Sequence, residues 1–205
     1  MSKIFQLTMT DFYQKNFQEY HHRTFSIDPS SFLSPLAKRL APGSRILDVG
    51  CGSGRDMLWF KERGFRPTGF ERSPGLTELA RKNTRCDVKE GDFESYDFSQ
   101  FSFDAIVLAG SLVHVSHEKM ERVFTKIIQG LCPHGWILLT LKQGTGTRSD
   151  SHGRVFYLWQ DKALREFFTN KGFHIAEVFQ QPSAVGTGEI WLGYVLQNKQ
   201  HKISE

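Results

Sequence analysis

Glycines at every second position constrain this chain more than any other feature. Residues 44–60 read SRILDVGCGSGRDMLWF, a hydrophobic strand pattern that contains Asp48, then Gly50, Gly52 and Gly54, then an amphipathic segment. Glycine lacks a Cβ, so the chain can turn sharply there and a ligand can approach bare backbone, while the following helix offers free N–H groups. The pattern predicts a nucleotide-like ligand at a strand-to-helix turn.

Short hydrophobic runs alternate with helical patterns along the rest of the chain, which is typical of a parallel sheet covered on both faces. The seven predicted strands are 45–50, 66–71, 87–92, 103–110, 136–142, 173–180 and 190–197. Helices are predicted over 54–64, 74–83, 117–130 and 160–171. The turn-rich segment QPSAVGTGE joins the last two strands, which should therefore pair antiparallel.

Two further helical segments precede the first strand. Within residues 9–25 aromatic side chains recur at helical spacing, and a capped helix is predicted across 30–40. Tyr13 and Tyr20 should share one face, either closing over the ligand or packing as core aromatics. We expect a single domain over residues 1–205, made of a helical cover (1–40), a core (41–199) and a tail (200–205).

Acidic residues at the ends of three successive predicted strands narrow the choice of ligand. Asp48 precedes the first glycine, where a carboxylate repels phosphate and suits a cationic amino-acid head group. Glu71 follows roughly 20 residues later, where a carboxylate can accept both ribose hydroxyls. Asp92 can accept a hydrogen bond from an exocyclic amine beside the apolar Phe93. The glycines alone leave phosphate and nicotinamide cofactors open, but with these acids they indicate S-adenosylmethionine.

The motifs ILDVGCGSGRD, GFERS, EGDF and FDAIVLAGSLVHV resemble those of class I S-adenosylmethionine-dependent methyltransferases. The resemblance covers about residues 40–197 and implies an α/β, three-layer, doubly wound Rossmann-like sheet in the order 3-2-1-4-5-7-6, with strand 7 antiparallel. It implies S-adenosyl-L-methionine as cofactor, S-adenosyl-L-homocysteine as product, and no metal. The segment LCPHGW matches a family turn in which His134 replaces a glycine.

The cofactor residues implied by the resemblance come from the glycine loop, the ends of the second and third strands, the segment after the fourth strand, and the N-terminal cover. They are Asp48, Gly50, Cys51, Gly52, Gly54, Arg55, Asp56, Glu71, Arg72, Asp92, Phe93, Ala109, Gly110, Ser111, His114 and Tyr20.

The segment after the fifth strand is the most informative about the methyl acceptor. It reads KQGTGTRSDSHGRVFYLW, longer than the usual connection of about 2–6 residues, which favours a functional lid over a surface excursion. The sequence of this segment resembles that of a branch of small bacterial methyltransferases with SLKxGxGx and GRxF motifs. The candidate substrate residues are Lys142, Arg148, Arg154, Tyr157 and Trp159, with Arg154 anchoring the loop or an anionic group.

Methyl transfer needs a base only when the nucleophile is protonated. His114 is a candidate base because imidazole titrates near neutrality, although packing beside the cofactor is the alternative role. Tyr13 and Arg154 are the other candidate catalytic residues. His114, His117 and Glu118 have the spacing of metal ligands on a helix, but no further ligand is evident, so we expect no metal.

Composition bears mainly on partners and location. The net charge of +4 permits an anionic substrate or nucleic acid, but the basic residues are scattered. The Asn/Asp-Pro-Pro-aromatic loop typical of enzymes that methylate base amines is replaced by AGSLVH, which disfavours nucleic acid. Three cysteines without a CxxC pair, no apolar run long enough to span a membrane and no signal-peptide pattern predict a cytoplasmic protein without membrane contact.

We therefore expect a monomer or homodimer that methylates an O, N or S nucleophile of a small molecule. RDMLWFKERGFRPTGFE also resembles thiopurine and chalcogen methyltransferases, so a sulfur, selenium or tellurium nucleophile is one alternative. A transfer RNA (wobble-uridine type) or protein methyltransferase is another. A non-catalytic cofactor-binding protein is the third.

Overall fold

The computed structural model describes residues 9–199; residues 1–8 of the predicted cover and the predicted tail 200–205 lie outside the described residues. The α-helices are α1 (Met9–Lys15), α2 (Phe17–Thr24), α3 (Ser30–Ala37), α4 (Arg55–Glu62), α5 (Pro74–Thr84), α6 (His117–Ile127) and α7 (Asp161–Asn170). The strands are β1 (Arg45–Val49), β2 (Arg66–Glu71), β3 (Val88–Glu90), β4 (Phe103–Ala109), β5 (Leu131–Lys142), β6 (Thr147–Ser149), β7 (Val155–Tyr157), β8 (Phe173–Pro182) and β9 (Ile190–Asn198). Short 3₁₀ turns cover Leu112–His114 and Ile128–Gly130.

The main sheet has the order β3-β2-β1-β4-β5-β9-β8. The neighbouring strands β3, β2, β1, β4 and β5 are all parallel, whereas β9 pairs antiparallel with both β5 and β8. Because β6 and β7 form a separate hairpin, β8 and β9 are the sixth and seventh strands of this sheet. The predicted order 3-2-1-4-5-7-6 with an antiparallel seventh strand is therefore confirmed.

Hydrophobic side chains on both faces of the central strands hold the layers together. Leu47 and Val49 belong to the larger core cluster, to which α6 adds Met120 and Phe124, while Ile46 packs on the opposite face with α3 and α4 residues. Burying one such side chain contributes roughly 1.5–3 kcal/mol. Since β1, β2, β4 and β5 are parallel, the segments that follow them meet at one edge of the sheet, where ligands of such folds bind. Within the described part of the chain, no helix is long and apolar enough to span a bilayer.

The predicted helix over residues 9–25 is two helices, so that expectation was wrong. The backbone of Asn16 leaves the helical region at φ −115° and ψ 22°, and its side-chain amide donates to the Phe12 carbonyl at 2.8 Å. Asparagine side chains compete with backbone groups in this way, which favours a helix boundary. The break between α1 and α2 nevertheless leaves the rings of Tyr13 and Tyr20 in edge-to-face contact, with centroids 5.3 Å apart.

The fifth strand begins earlier than predicted, at Leu131 instead of Trp136. Its pairing with β4 skips from Leu131 to Trp136, so the residues between them form a bulge. Pro133 cannot donate to the sheet, and His134 has φ +59°, a left-handed conformation that usually belongs to glycine. The histidine thus occupies the position at which the family turn has glycine.

The loop after β5 contains a hairpin that the sequence does not reveal. Strands β6 and β7 pair antiparallel, with Arg148 opposite Phe156. The Asp150 carboxylate closes the turn by accepting hydrogen bonds from the N–H groups of His152 at 2.9 Å and Arg154 at 3.0 Å. β6 and β7 have only three residues each, and β6 is exposed. The sequence therefore shows no alternation of hydrophobic and polar residues there that would predict strands.

Candidate functional site

The three loop glycines have different surroundings. A Cβ on Gly50 would lie 2.6 Å from the Ser111 Cβ, and one on Gly54 would lie 2.7 Å from the Thr84 Cγ2, so both glycines are required by packing. Gly52, at φ +56°, would meet only the Tyr20 ring, at 3.4 Å. Gly50 and Gly54 therefore shape the turn, whereas Gly52 offers bare backbone to a ligand.

The Glu71 carboxylate is fixed by three backbone N–H groups at the end of β2. Its Oε2 accepts from Gly52 at 2.9 Å, and its Oε1 accepts from Arg72 and Ser73, both at 2.9 Å. Burial raises the pKa of Glu71, and these hydrogen bonds act in the opposite direction. The carboxylate is thereby held rigidly against the glycine loop, where it can accept hydroxyl groups.

Asp48 and Cys51 are buried beneath the loop. The Asp48 Oδ2 has no hydrogen-bond partner among the described residues, and burial, reinforced by Asp56, raises the pKa of Asp48 well above its usual range. Such a carboxylate is stabilised by a cationic ligand nearby. Cys51 packs with Met57 in a small apolar cluster, and burial raises its thiol pKa, so Cys51 supports the loop from below.

Two adjoining cavities lie above these residues. The loop cavity, about 180 Å³, is bounded by Gly50, Gly52, Glu71 and Phe93 among others. The outer cavity, about 300 Å³, is bounded by Lys142, Arg154, Phe156 and Trp191 among others. Residues that line both cavities are Tyr13, Tyr20, Ala109 and Gly110. The two spaces therefore meet at a shared wall built from the cover and the end of β4.

The predicted cofactor residues divide between these spaces. Those in the loop cavity are Tyr20, Gly50, Gly52, Glu71, Arg72, Phe93, Ala109, Gly110, Ser111 and His114. Arg55 and Asp56 line the outer cavity and are joined by a hydrogen bond of 2.6 Å. Asp48, Cys51, Gly54 and Asp92 are not among the described lining residues. Asp92 instead contacts Arg72 at 3.4 Å and accepts from the Glu94 N–H.

The candidate catalytic residues Tyr13, His114 and Arg154 form one hydrogen-bonded group. His114 Nδ1 is 2.6 Å from the Val155 carbonyl, which requires Nδ1 to carry the proton, so Nε2 accepts from the Tyr13 hydroxyl at 3.1 Å. Burial lowers the pKa of His114 to about 4, and burial raises the pKa of Tyr13 although Arg154 opposes that rise. At neutral pH the group is a neutral imidazole beside a protonated phenol.

Arg154 fixes this group to the hairpin turn. Its Nε and Nη2 each lie 2.7 Å from Asp150 Oδ2, and its Nη1 donates to the Tyr13 oxygen at 3.4 Å. Its guanidinium also lies over the Phe12 ring, 4.4 Å from the centroid. These contacts join the hairpin turn to Phe12 and Tyr13 of α1, and the role of Arg154 as an anchor of the loop or of an anionic group stays a prediction.

The N-terminal cover binds to the loop cavity through side chains. Gln14 Oε1 accepts from the Ser73 hydroxyl at 2.9 Å and from the Gly75 N–H at 3.2 Å, at the start of α5. His21 Nδ1 and the Ser53 hydroxyl are 2.9 Å apart. These contacts hold Tyr13 and Tyr20 over the glycine loop.

The candidate substrate residues of the long loop fall into two groups, one in the outer cavity and one packed against His117. Lys142 and Arg148 line the outer cavity, and both contact Glu189, Lys142 Nζ at 2.6 Å and Arg148 Nη1 at 3.5 Å. Tyr157 and Trp159 pack against the His117 ring, with centroids 5.5 and 4.5 Å from it, and are not among the described residues of either cavity. His114 and His117 bond to the carbonyls of Val155 and Leu158.

Sequence reasoning missed Phe156, Trp191 and Glu189 in the outer cavity. Side chains alternate across a strand, so Phe156 shares a face with its partner Arg148, and Tyr157 faces away. No sequence signal distinguishes the two aromatic neighbours, because the hairpin register decides which one faces inward. Glu189 ends the turn-rich segment between β8 and β9, which was read only as a connection.

Comparison with known proteins finds a match to a methyltransferase domain within this chain. The methyltransferase-domain family matches residues 46–135, from the first strand to the bulge of β5. The match over these residues supports a methyltransferase of the class I S-adenosylmethionine-dependent type. An uncharacterized methyltransferase of Staphylococcus carnosus is 28% identical over 160 residues, covering 75% of this chain and 76% of that protein.

Other similarities to this methyltransferase are more partial. A cypemycin N-terminal methyltransferase of a Streptomyces species is 30% identical over 116 residues, which cover 51% of this chain but 46% of that protein. The crystal structure of 1,6-didemethyltoxoflavin-N1-methyltransferase from Burkholderia thailandensis, with bound 1,6-didemethyltoxoflavin and S-adenosylhomocysteine, superposes with a TM-score of 0.74 at 18% identity. That superposition covers 94% of this chain and 88% of that one, and it establishes the shared fold.

Proposed function

We propose that this methyltransferase transfers the methyl group of S-adenosylmethionine to an oxygen, nitrogen or sulfur nucleophile of a small molecule held in the outer cavity. The observation that carries the proposal is the shared wall of Tyr13, Tyr20, Ala109 and Gly110 between the two cavities. A donor in one space and an acceptor in the other would meet there. A cavity of about 300 Å³ is the size of a small-molecule site.

The loop cavity fits the cofactor on chemical grounds. Bare backbone at Gly52 and the fixed carboxylate of Glu71 suit a ribose in this cavity. Beneath the loop, the Asp48 Oδ2, which has no hydrogen-bond partner among the described residues, suits a cationic amino-acid group nearby. Phe93 supplies an apolar wall for a base, and Tyr20 covers the loop. When bound, S-adenosylmethionine supplies an electrophilic methyl group and becomes S-adenosylhomocysteine.

Tyr13 and His114 are proposed to remove the proton of a protonated acceptor. The Tyr13 oxygen takes the acceptor's proton while its own proton moves to His114 Nε2, which it already faces at 3.1 Å. The Val155 carbonyl stabilises the resulting imidazolium through Nδ1–H. Arg154 positions the Tyr13 oxygen by donating to it. A sulfur nucleophile that is already anionic does not need this group, and the acceleration then comes from positioning.

The three cysteines of the chain are free thiols, and we propose a reducing, cytoplasmic location on that basis.

The test is to incubate the enzyme with methyl-labelled S-adenosylmethionine and a cell extract, and to separate small-molecule, RNA and protein fractions. We expect label in the small-molecule fraction, and much less with Tyr13→Phe if the acceptor is an alcohol or amine. Label in RNA or protein would overturn the small-molecule proposal in favour of those acceptors. No label in any fraction, with the cofactor bound, would point to a non-catalytic binding protein.

A further inference from the structure

We propose that the acceptor is an aromatic molecule carrying one carboxylate, and that Lys142 and Arg148 bind this carboxylate in the outer cavity. The inference rests on the proposed function, because it identifies the chemical class of the acceptor. It follows from two cationic side chains that share one carboxylate at one end of the outer cavity, and from two aromatic rings beside them.

The charge pairing involves three side chains. Lys142 Nζ and Arg148 Nη1 both approach the same oxygen of Glu189, Oε1, at 2.6 and 3.5 Å. The other oxygen, Oε2, accepts from the Thr187 hydroxyl at 2.6 Å. Lys142 and Glu189 side chains are only 8% and 12% exposed, so water screens them poorly, whereas the Arg148 side chain is 55% exposed and open to a ligand. Two cations that share one carboxylate leave one positive charge for a ligand.

The remaining ion pairs near the cavity do not have this excess. Arg154 is matched by Asp150, Arg55 by Asp56 and Arg23 by Glu19, one cation to one carboxylate in each case. An anion in this cavity is therefore attracted to Lys142 and Arg148 more than to the other arginines. A monoanionic carboxylate neutralises that end, and the planar fork of arginine suits its geometry.

Two aromatic rings separate the cations from the shared wall. The Lys142 Nζ lies 3.8 Å from the Phe156 ring centroid and 5.4 Å from that of Trp191. The Trp191 ring in turn abuts Gly110, where an added Cβ would be 3.3 Å away. A ligand whose carboxylate reaches the cations thus lies along Trp191 and Phe156, which favours an aromatic body, and points its other end toward Gly110 and Tyr13.

The test compares 4-fluorobenzoate with its neutral amide, 4-fluorobenzamide, by ¹⁹F NMR titration with and without saturating S-adenosylhomocysteine. Arg148→Gln should weaken 4-fluorobenzoate binding about three- to ten-fold and leave the amide unchanged. Glu189→Gln should tighten it, because the competing carboxylate is gone. Arg45→Gln removes the same charge from an exposed pair with Asp104, which lines neither cavity, and serves as the matched control.

Tighter binding of the acid than of the amide, with opposite effects of the two cavity variants, supports the proposal. Equal binding of acid and amide, or weaker binding in Glu189→Gln, would overturn it. Binding of S-adenosylhomocysteine is measured on the same samples. If S-adenosylhomocysteine does not bind, the proposed function is refuted. If S-adenosylhomocysteine binds but 4-fluorobenzoate does not, only the proposed acceptor class is refuted.

Discussion

Gly50 and Gly52 of the glycine loop allow folding and ligand contact to be tested separately, with Gly43, which precedes β1, as the reference. All three have left-handed backbone, with φ of +77°, +75° and +56°. Alanine in this conformation costs about 1–2 kcal/mol. At Gly43 a Cβ would enter open space, so Gly43→Ala measures this backbone cost alone.

Gly50→Ala adds a steric cost to the same backbone cost. Its Cβ would lie 2.6 Å from the Ser111 Cβ and 3.5 Å from the Ser111 Cα, so the segment after β4 must shift. Overpacking of this kind costs about 1–3 kcal/mol, so the total loss in the free energy of unfolding should be about 2–5 kcal/mol. Urea denaturation followed by circular dichroism measures the difference from Gly43→Ala.

Gly52→Ala should behave differently, because its Cβ meets only the Tyr20 ring, at an ordinary contact distance of 3.4 Å. We expect its free energy of unfolding to match that of Gly43→Ala, while its Kd for S-adenosylhomocysteine rises at least about ten-fold, or 1.4 kcal/mol. Equal unfolding losses for Gly43→Ala and Gly50→Ala, or unchanged ligand affinity in Gly52→Ala, would refute the assignment of these two glycines.

Further predictions concern Tyr13, His114 and Glu71. Tyr13→Phe should reduce kcat for a protonated acceptor about 10²–10⁴-fold with little change in the Kd of S-adenosylhomocysteine; an unchanged kcat would contradict the proton transfer. Because the pKa of His114 falls to about 4 on folding from its ordinary 6.5, wild type should lose stability as the pH falls through that interval. Relative to His114→Gln, the loss between pH 7.5 and 5 should be about 2 kcal/mol in urea titrations, and a pH-independent difference would contradict a neutral, buried imidazole. Glu71→Gln should raise the Kd of S-adenosylhomocysteine at least about ten-fold in calorimetry, since an amide cannot accept on both of its polar atoms; an equal Kd would remove Glu71 from the cofactor site.

The order of the main sheet was predictable because each of its strands is a short hydrophobic run bounded by turn residues. Ile46, Leu47 and Val49 are buried on both faces, which is what a central parallel strand requires. The sequence also predicts a ligand site from the glycine loop and the acids at the strand ends; of these acids Glu71 lines the loop cavity, whereas Asp48 and Asp92 are not among its described lining residues. Glu71 therefore came out of the sequence together with the loop that it contacts.

Features that depend on pairing between distant segments were not readable. The contact between Tyr13 and His114 joins residues 101 positions apart, and it depends on how the cover lies on the sheet. Phe156 faces the outer cavity because of the register of a hairpin with three-residue strands. The helix boundary at Asn16 arises from one side-chain hydrogen bond that outweighs the helical spacing of the neighbouring aromatic residues.

The most direct test of the central claim is calorimetric titration of the protein with S-adenosylhomocysteine, with NADH as the control dinucleotide. We predict one site with a Kd on the order of 10 µM and no heat with NADH. At 100 times that Kd the ligand should stabilise the fold by about 2.7 kcal/mol, raising Tm by roughly 5–10 °C. Folded protein that shows neither heat nor a Tm shift with S-adenosylhomocysteine, or that binds NADH instead, would contradict the account.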